Sequence, residues 1–124
     1  MVLSDLLQFP HFIIIIIGIM HLTIAIILVI VHKPKNWYSL HVFFATSGIE
    51  LIVIGVGILI DLTLTLPHAI LGLTVIFILV SEIVGGIIAR KLKKREIRLI
   101  HIWVGRILYI SIFVVVILGI SYFI

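Results

Sequence analysis

Four of the six histidines in this chain stand near the start of a long apolar stretch, and each is followed by a glycine on its own helix face. The pairs are His11 with Gly18, His41 with Gly48, His68 with Gly72, and His101 with Gly105. Steps of seven or four residues come back to within ~20° or ~40° of the starting face of an α-helix. An imidazole nitrogen beside a position without a side chain suits a haem, which needs an axial ligand and room for a flat macrocycle.

The elements that carry these histidines are long enough to cross a bilayer. The chain has 124 residues, of which 64% are hydrophobic, and apolar runs over about 11–32, 38–60, 67–89 and 99–122 each reach the ~20 residues that span a membrane. Inside lipid the backbone must satisfy its own hydrogen bonds, so these runs are predicted to be helices in spite of their many Ile and Val residues. We therefore expect an all-α membrane protein, a four-helix up-down-up-down bundle that forms one domain over residues 1–124.

The chain contains no cysteine, which narrows the chemistry. Covalent c-type haem attachment, cysteine-ligated iron–sulfur clusters, disulfides and thiol catalysis are all excluded. Any haem, and the count that the histidines suggest below is two, would have to be bound noncovalently. Zinc is disfavoured, because the histidine pairs are too far apart to share one tetrahedral ion. No cleavable signal peptide is expected, because the first apolar run is long enough to span.

The net charge of +4 comes from two predicted turns and indicates topology, with no nucleic-acid partner expected. The amino-terminal segment and the second turn carry only Asp5 and Asp61. The positive-inside rule then places both basic turns in the cytoplasm and both termini outside, in a multi-pass protein of the cell membrane. The basic residues of the first and third turns are Lys33, Lys35, Arg90, Lys91, Lys93, Lys94, Arg95 and Arg98.

The same topology matches the four histidines in depth. The first and third helices start outside, so His11 and His68 are expected at similar depth near the outer face, and His41 and His101 near the cytoplasm. In an up-down-up-down bundle the first and third helices are diagonal neighbours, and so are the second and fourth. Each pair of histidines can therefore ligate one iron across the core, with the two irons ~20 Å apart. For any one histidine–glycine pair, the alternative is a histidine that lies at the membrane interface and a glycine that packs against another helix. Four depth-matched pairs favour two bis-histidine haem sites, one in each leaflet.

The segments PHFIIIIIGIM, LHVFFATSGIELIVIGVGI, PHAILGLTVIF and LIHIWVGRILYI resemble the four-helix core of the cytochrome b561 family, including its DOMON-associated and short prokaryotic members. HAILGL and HIWVGR are similar to the HxWxG-type helix starts of that family, and the resemblance covers nearly all of the chain. It implies two b haems, bis-histidine ligation between alternate helices and electron transfer across the membrane, with ligand roles on His11, His41, His68 and His101. The chain departs from the family in reading Pro10-His11 where members often read His-Pro, and in lacking additional helices.

Three more ionisable residues lie within the spans, where such groups are functional candidates. His21 and Glu50 fall at nearly the same depth, which favours a hydrogen-bonded pair near the midplane, structural or part of a proton path. The alternative is two groups satisfied separately, by backbone carbonyls or a partner subunit. Glu50 is ~180° around the helix from His41 and should face away from the haem core. Glu82 is expected towards the inner haem, where it could tune the potential, take up protons or remain an uncharged acid.

Residues near the cytoplasmic face have simpler interpretations. His32 is expected to be a helix end that faces the headgroups. The basic turn 90–98 is a topology determinant that contacts anionic lipid. Together with Lys33, Lys35 and Arg106 it could also hold haem propionates or attract an anionic donor. Arg106, five residues after His101, is the residue that we expect at a propionate.

The sequence therefore predicts a small di-haem cytochrome b that transfers electrons across the membrane. The expected partners are membrane lipid, an extracytoplasmic redox protein and a quinol or small anionic reductant. Oligomeric state and enzyme activity stay open. The alternatives are a non-redox membrane subunit and a small proton-coupled transporter that uses His21, Glu50 and Glu82.

Overall fold

The computed structural model describes residues 10–58 and 67–121, and these ranges contain four long α-helices and no strand. Each helix is long and apolar enough to cross a membrane, so the predicted all-α class with four membrane-length helices is confirmed. The predictions for the segment with Asp5 and the turn with Asp61 lie outside the described residues. The helices are α1 (Pro10–Val31), α2 (Trp37–Gly57), α3 (Pro67–Leu92) and α4 (Arg95–Ser121).

α1 begins and ends where its sequence predicts. Pro10 occupies the first helical position, where a missing N–H leaves no bond unmade. After Val31, the N–H of His32 donates to the carbonyl of Leu28 at 2.9 Å, and His32 adopts a left-handed conformation with φ 54°. This is the geometry of an αL helix cap. His32 is exposed, and its ring packs edge-on against Trp37, so its expected place at a helix end is confirmed.

The predicted turn over residues 90–98 is mostly helical, which corrects the sequence-based boundaries. α3 continues to Leu92 and α4 already begins at Arg95. The apolar pattern ends earlier than the helical backbone, because Lys and Arg favour helix almost as well as Leu does. Only Lys93 and Lys94 lie outside a helix in this segment, and Lys93 has a left-handed φ of 52°. The basic side chains therefore extend from two helix ends that project past the apolar spans.

The chain divides into two compact units, each an antiparallel helical hairpin. The first hairpin consists of α1 and α2, and the second of α3 and α4. The single four-helix bundle stays a prediction.

The two helices of the first hairpin pack backbone against backbone. A methyl group added at Gly18 would lie 2.9 Å from the carbonyl oxygen of Gly48, and one added at Gly48 would lie 2.9 Å from that of Gly18. Small residues permit this close approach in membrane helices. Five residues of α1 and four of α2 are buried around the contact: Gly18, Ile19, Leu22, Ala25, Leu28, Gly48, Ile49, Ile52 and Gly55.

The second hairpin is packed less closely. Only Leu79 on α3 and Leu108 and Ile112 on α4 are buried. Large apolar side chains are exposed along the same helices, and Phe77 is 77% exposed. In lipid such a surface needs no cover from protein, since the acyl chains are as apolar as the side chains.

Candidate functional site

In the first hairpin, each of the two candidate histidines lies opposite a small residue of the partner helix. The backbone oxygen of His11 is 3.2 Å from the position that a Cβ atom would take on Gly55. Nδ1 of His41 is 3.0 Å from the backbone oxygen of Ala25. One histidine therefore lies towards the open end of the hairpin, and the other lies near its turn.

The second hairpin repeats this arrangement. Cδ2 of His68 is 3.6 Å from the Cβ position of Gly119, and Cε1 of His101 is 3.1 Å from that of Gly86. His68 lies towards the open end and His101 near the turn. Each of the four candidate histidines therefore lies level with a glycine or an alanine of the other helix in its hairpin, and for three of them the ring itself makes the contact.

The two histidine levels in each hairpin are separated by most of a bilayer core. Along α1, His11 precedes Ala25, which faces His41, by fourteen residues, or about 21 Å at the helical rise. Along α3, His68 precedes Gly86, which faces His101, by eighteen residues, or about 27 Å. The hydrocarbon core is ~30 Å thick. Each hairpin thus places one imidazole near each end of its span.

The ring of His41 is fixed in one tautomer. A backbone carbonyl only accepts hydrogen bonds, so the contact of Nδ1 with Ala25 requires a proton on Nδ1. Nε2 of the neutral ring then carries the lone pair, which is the form that ligates a metal. The ring is partly buried, between α1 and α2.

His101 is held in a related way, by a carboxyl group. Nδ1 of His101 lies 2.5 Å from Oε2 of Glu82, and the two side chains are 28% and 15% exposed. The two atoms do not meet hydrogen-bond geometry, so the contact is a close polar contact between the ring edge and the carboxyl group. Its Nδ1 faces an acceptor, so Nε2 is the nitrogen left for a ligand. Glu82 therefore lies beside His101, one of the two histidines that the sequence places near the cytoplasmic face.

The four glycines that follow the histidines on their own helices differ in surroundings. The space beside Gly18 and Gly48 is occupied by the partner helix, with Cγ1 of Ile52 only 2.8 Å from the Cβ position of Gly18. These two glycines therefore serve helix packing, which corrects the expectation that they leave room for a macrocycle. A Cβ atom on Gly105 would have no neighbour within 4 Å, and one on Gly72 would be 3.4 Å from Val115.

The glycines and the alanine that face the histidines were missed by the sequence analysis. The signal that finds them is distance from the turn, because residues equally far from the turn of an antiparallel hairpin lie opposite each other. Gly86 and His101 are equally far from the junction of Lys93 and Lys94. The rule requires the turn position, and the predicted boundaries were not accurate enough to supply it.

The predicted pair of His21 and Glu50 is wrong. Nδ1 of His21 lies 2.9 Å from Oγ of Ser47, and the ring packs edge-on against Phe44. Glu50 is exposed, as expected for a residue on the far side from His41. The contact of Gly18 with Gly48 sets the register, which brings His21 beside the helical turn before Glu50.

Arg106, the predicted propionate partner, is exposed, and its guanidinium group lies 5.2 Å from the ring centre of Trp103. Within residues 10–58 and 67–121, no three His, Asp or Glu side chains converge as they do in a closed metal site.

The chain matches no protein-family model, no curated protein and no solved structure.

Proposed function

We propose that this protein is a di-haem cytochrome b that transfers electrons across the cell membrane. One haem b would be ligated by His11 and His68, and the other by His41 and His101. The observation that carries the proposal is the state of His41 and His101. Both rings face an acceptor through Nδ1, a carbonyl in one and a carboxyl group in the other, and so keep Nε2 for iron. Haem-ligating and metal-ligating histidines are held by such partners, which fix ring orientation and strengthen the donor.

The donor set suits haem better than a bare metal ion. Haem supplies a one-electron couple and needs only two axial nitrogens from the protein. The chain would contribute four imidazoles at two levels and an apolar membrane surrounding, with open space beside Gly105. Arg106 would leave Trp103 to pair with a propionate. No step of this function requires an acid or base from the protein.

The membrane sidedness is part of the proposal. The two basic turns would lie in the cytoplasm and both termini outside, as the positive-inside rule indicates. An extracytoplasmic redox protein and a quinol or a small anionic reductant would exchange electrons with the two haems. Anionic reductants would reach the cytoplasmic haem faster, because the exposed basic helix ends attract them.

The transporter alternative receives less support from the contacts. His21 is engaged with Ser47 in the first hairpin, and Glu82 with His101 in the second. Glu50 is exposed. Each of the three groups therefore has surroundings of its own.

The test is haem content. The purified protein is expected to be red and to contain two haems b per chain by the pyridine haemochrome assay, both six-coordinate and low-spin. His101→Ala should lose one of them. His21→Ala is the matched control, because it also removes a histidine from a membrane-length helix, but one that contacts Ser47. This variant should retain both haems. A colourless protein, or two haems retained in His101→Ala, would contradict the proposal.

A further inference from the structure

Glu82 connects the two helices of the second hairpin at the level of His101. Its Oε2 lies 2.5 Å from Nδ1 of that ring, and its side chain is only 15% exposed. A partly buried carboxyl group in a membrane span is costly unless a partner compensates it. His101 is the partner that the structure provides.

The surface around this contact is made of glycine. A Cβ atom on Gly85 would lie 3.5 Å from Oε1 of Glu82, and one on Gly86 would lie 3.1 Å from Cε1 of His101. The ring thus rests on a part of α3 that has no side chains, and the glycines themselves offer it no side-chain partner. Glu82 is the group that determines which way the Nδ1 edge of the ring faces.

The corresponding ring of the first hairpin has a different partner. Nδ1 of His41 donates to the neutral carbonyl of Ala25, whereas Nδ1 of His101 faces a carboxyl group. A negative carboxylate this close to Nδ1 attracts a proton on that nitrogen more strongly than a neutral carbonyl does, because its full charge acts on the proton even without ideal hydrogen-bond geometry. An imidazole whose Nδ1 proton is drawn away is a stronger donor through Nε2.

We propose that Glu82 is a positioning residue that holds His101 and makes it the stronger donor of its haem ligand pair. This inference rests on the proposed function. A stronger axial donor stabilises ferric iron more than ferrous iron. The haem bound by His101 therefore has a lower reduction potential with Glu82 than it has with a neutral side chain of the same shape.

The experiment is a redox titration of the purified holoprotein and of Glu82→Gln. The variant should retain two haems, and one of the two reduction potentials should rise by ~59 mV, which is a tenfold change in the equilibrium constant of a one-electron reduction. Glu50→Gln removes an exposed carboxyl group from the other hairpin and should leave both potentials in place. If Glu82→Gln retains both haems at unchanged potentials, this inference is overturned and the proposed function stands. Absence of haem from the unsubstituted protein overturns the proposed function itself.

A second measurement leaves Glu82 in place and covers the case in which Glu82→Gln does not accumulate. The chain has three glutamates, Glu50, Glu82 and Glu96. In the double variant Glu50→Gln, Glu96→Gln, a ¹³C-glutamate label marks Glu82 alone. The infrared difference spectrum between reduced and oxidised protein should then contain a carboxyl band that moves with the label. A spectrum without such a band would show that Glu82 does not sense the haem, and would overturn the inference.

Discussion

The two hairpins contain glycine in similar number but use it for different purposes. In the first hairpin, Gly18 and Gly48 bring two helix backbones into contact, and buried side chains surround that contact. In the second hairpin, Gly86 and Gly119 face histidine rings, and Gly105 faces open space. The same residue type therefore builds a close-packed pair of helices in one unit and makes space for imidazole groups in the other.

This difference shows which part of a histidine–glycine pattern is informative. The glycine on the same helix has no constant role, since Gly48 is packed and Gly105 is open. The residue across the hairpin is small at all four histidines. A histidine ring that contacts the neighbouring helix needs a small residue there. The residue type four or seven positions further along its own helix does not affect that requirement.

The largest effect is expected at Gly105, where leucine should displace a whole haem. Its side chain would fill the open space beside the helix, and a macrocycle cannot share that space because overpacked sites relax poorly. We expect Gly105→Leu to bind one haem per chain instead of two, measured by the haemochrome assay. Gly105→Ala is the control and should bind two. Two haems in the leucine variant would show that the open space is not used by the cofactor.

The next effect concerns stability and compares one glycine from each hairpin. In Gly48→Ala the new methyl group would lie 2.9 Å from the backbone oxygen of Gly18, which cannot move without separating the helices. Overpacking of this kind costs up to about 3 kcal/mol, and the helix propensity of alanine returns ~1 kcal/mol. Gly105→Ala should gain that ~1 kcal/mol without a clash.

The measurement for this pair is reversible unfolding in mixed detergent, followed by circular dichroism. Gly48→Ala should unfold at lower denaturant than the unsubstituted protein, and Gly105→Ala at equal or higher denaturant. If the two variants behaved alike, the contrast in packing between the hairpins would be refuted.

The helices themselves were predictable from sequence, and the contacts between them were not. Membrane length and the need of the backbone to bond internally determine four helices, even where Ile and Val dominate. The cap at His32 follows from local chemistry. The partner of His21 depends on register instead, and a shift of one helical turn decides between Ser47 and Glu50. That register comes from the contact between Gly18 and Gly48, which no pattern within one helix reveals.

A smaller effect is expected where glycine faces a histidine ring. In Gly86→Ala the methyl group would lie 3.1 Å from Cε1 of His101 and 3.4 Å from its Nε2, so the ring must move by a few tenths of an ångström. Overpacking of about 1 kcal/mol is offset by a similar gain in helix propensity. Stability should therefore change little, while the low-spin ferric signal in electron paramagnetic resonance should shift.

Gly119→Ala provides the comparison, because its methyl group would lie 3.6 Å from Cδ2 of His68, an ordinary contact. Its resonance signal should match that of the unsubstituted protein. An unchanged signal in Gly86→Ala as well would show that the glycine surface does not position His101.

The smallest effect is expected at the contact between His21 and Ser47. The hydroxyl group of Ser47 donates to the carbonyl of Phe43 at 2.8 Å, so it accepts its second hydrogen bond from Nδ1 of His21. Ser47→Ala removes this link between α1 and α2, and hydrogen bonds between membrane helices are worth ~0.6 kcal/mol.

Ser81→Ala is matched in size and chemistry, but the hydroxyl group of Ser81 bonds to Phe77 on its own helix. Detergent unfolding should show a small loss in Ser47→Ala and less in Ser81→Ala, with both haems retained in each. Loss of haem from Ser47→Ala would instead indicate that His21 belongs to the proposed ligand set, and would contradict the view that the contact between His21 and Ser47 serves only to hold the first hairpin together.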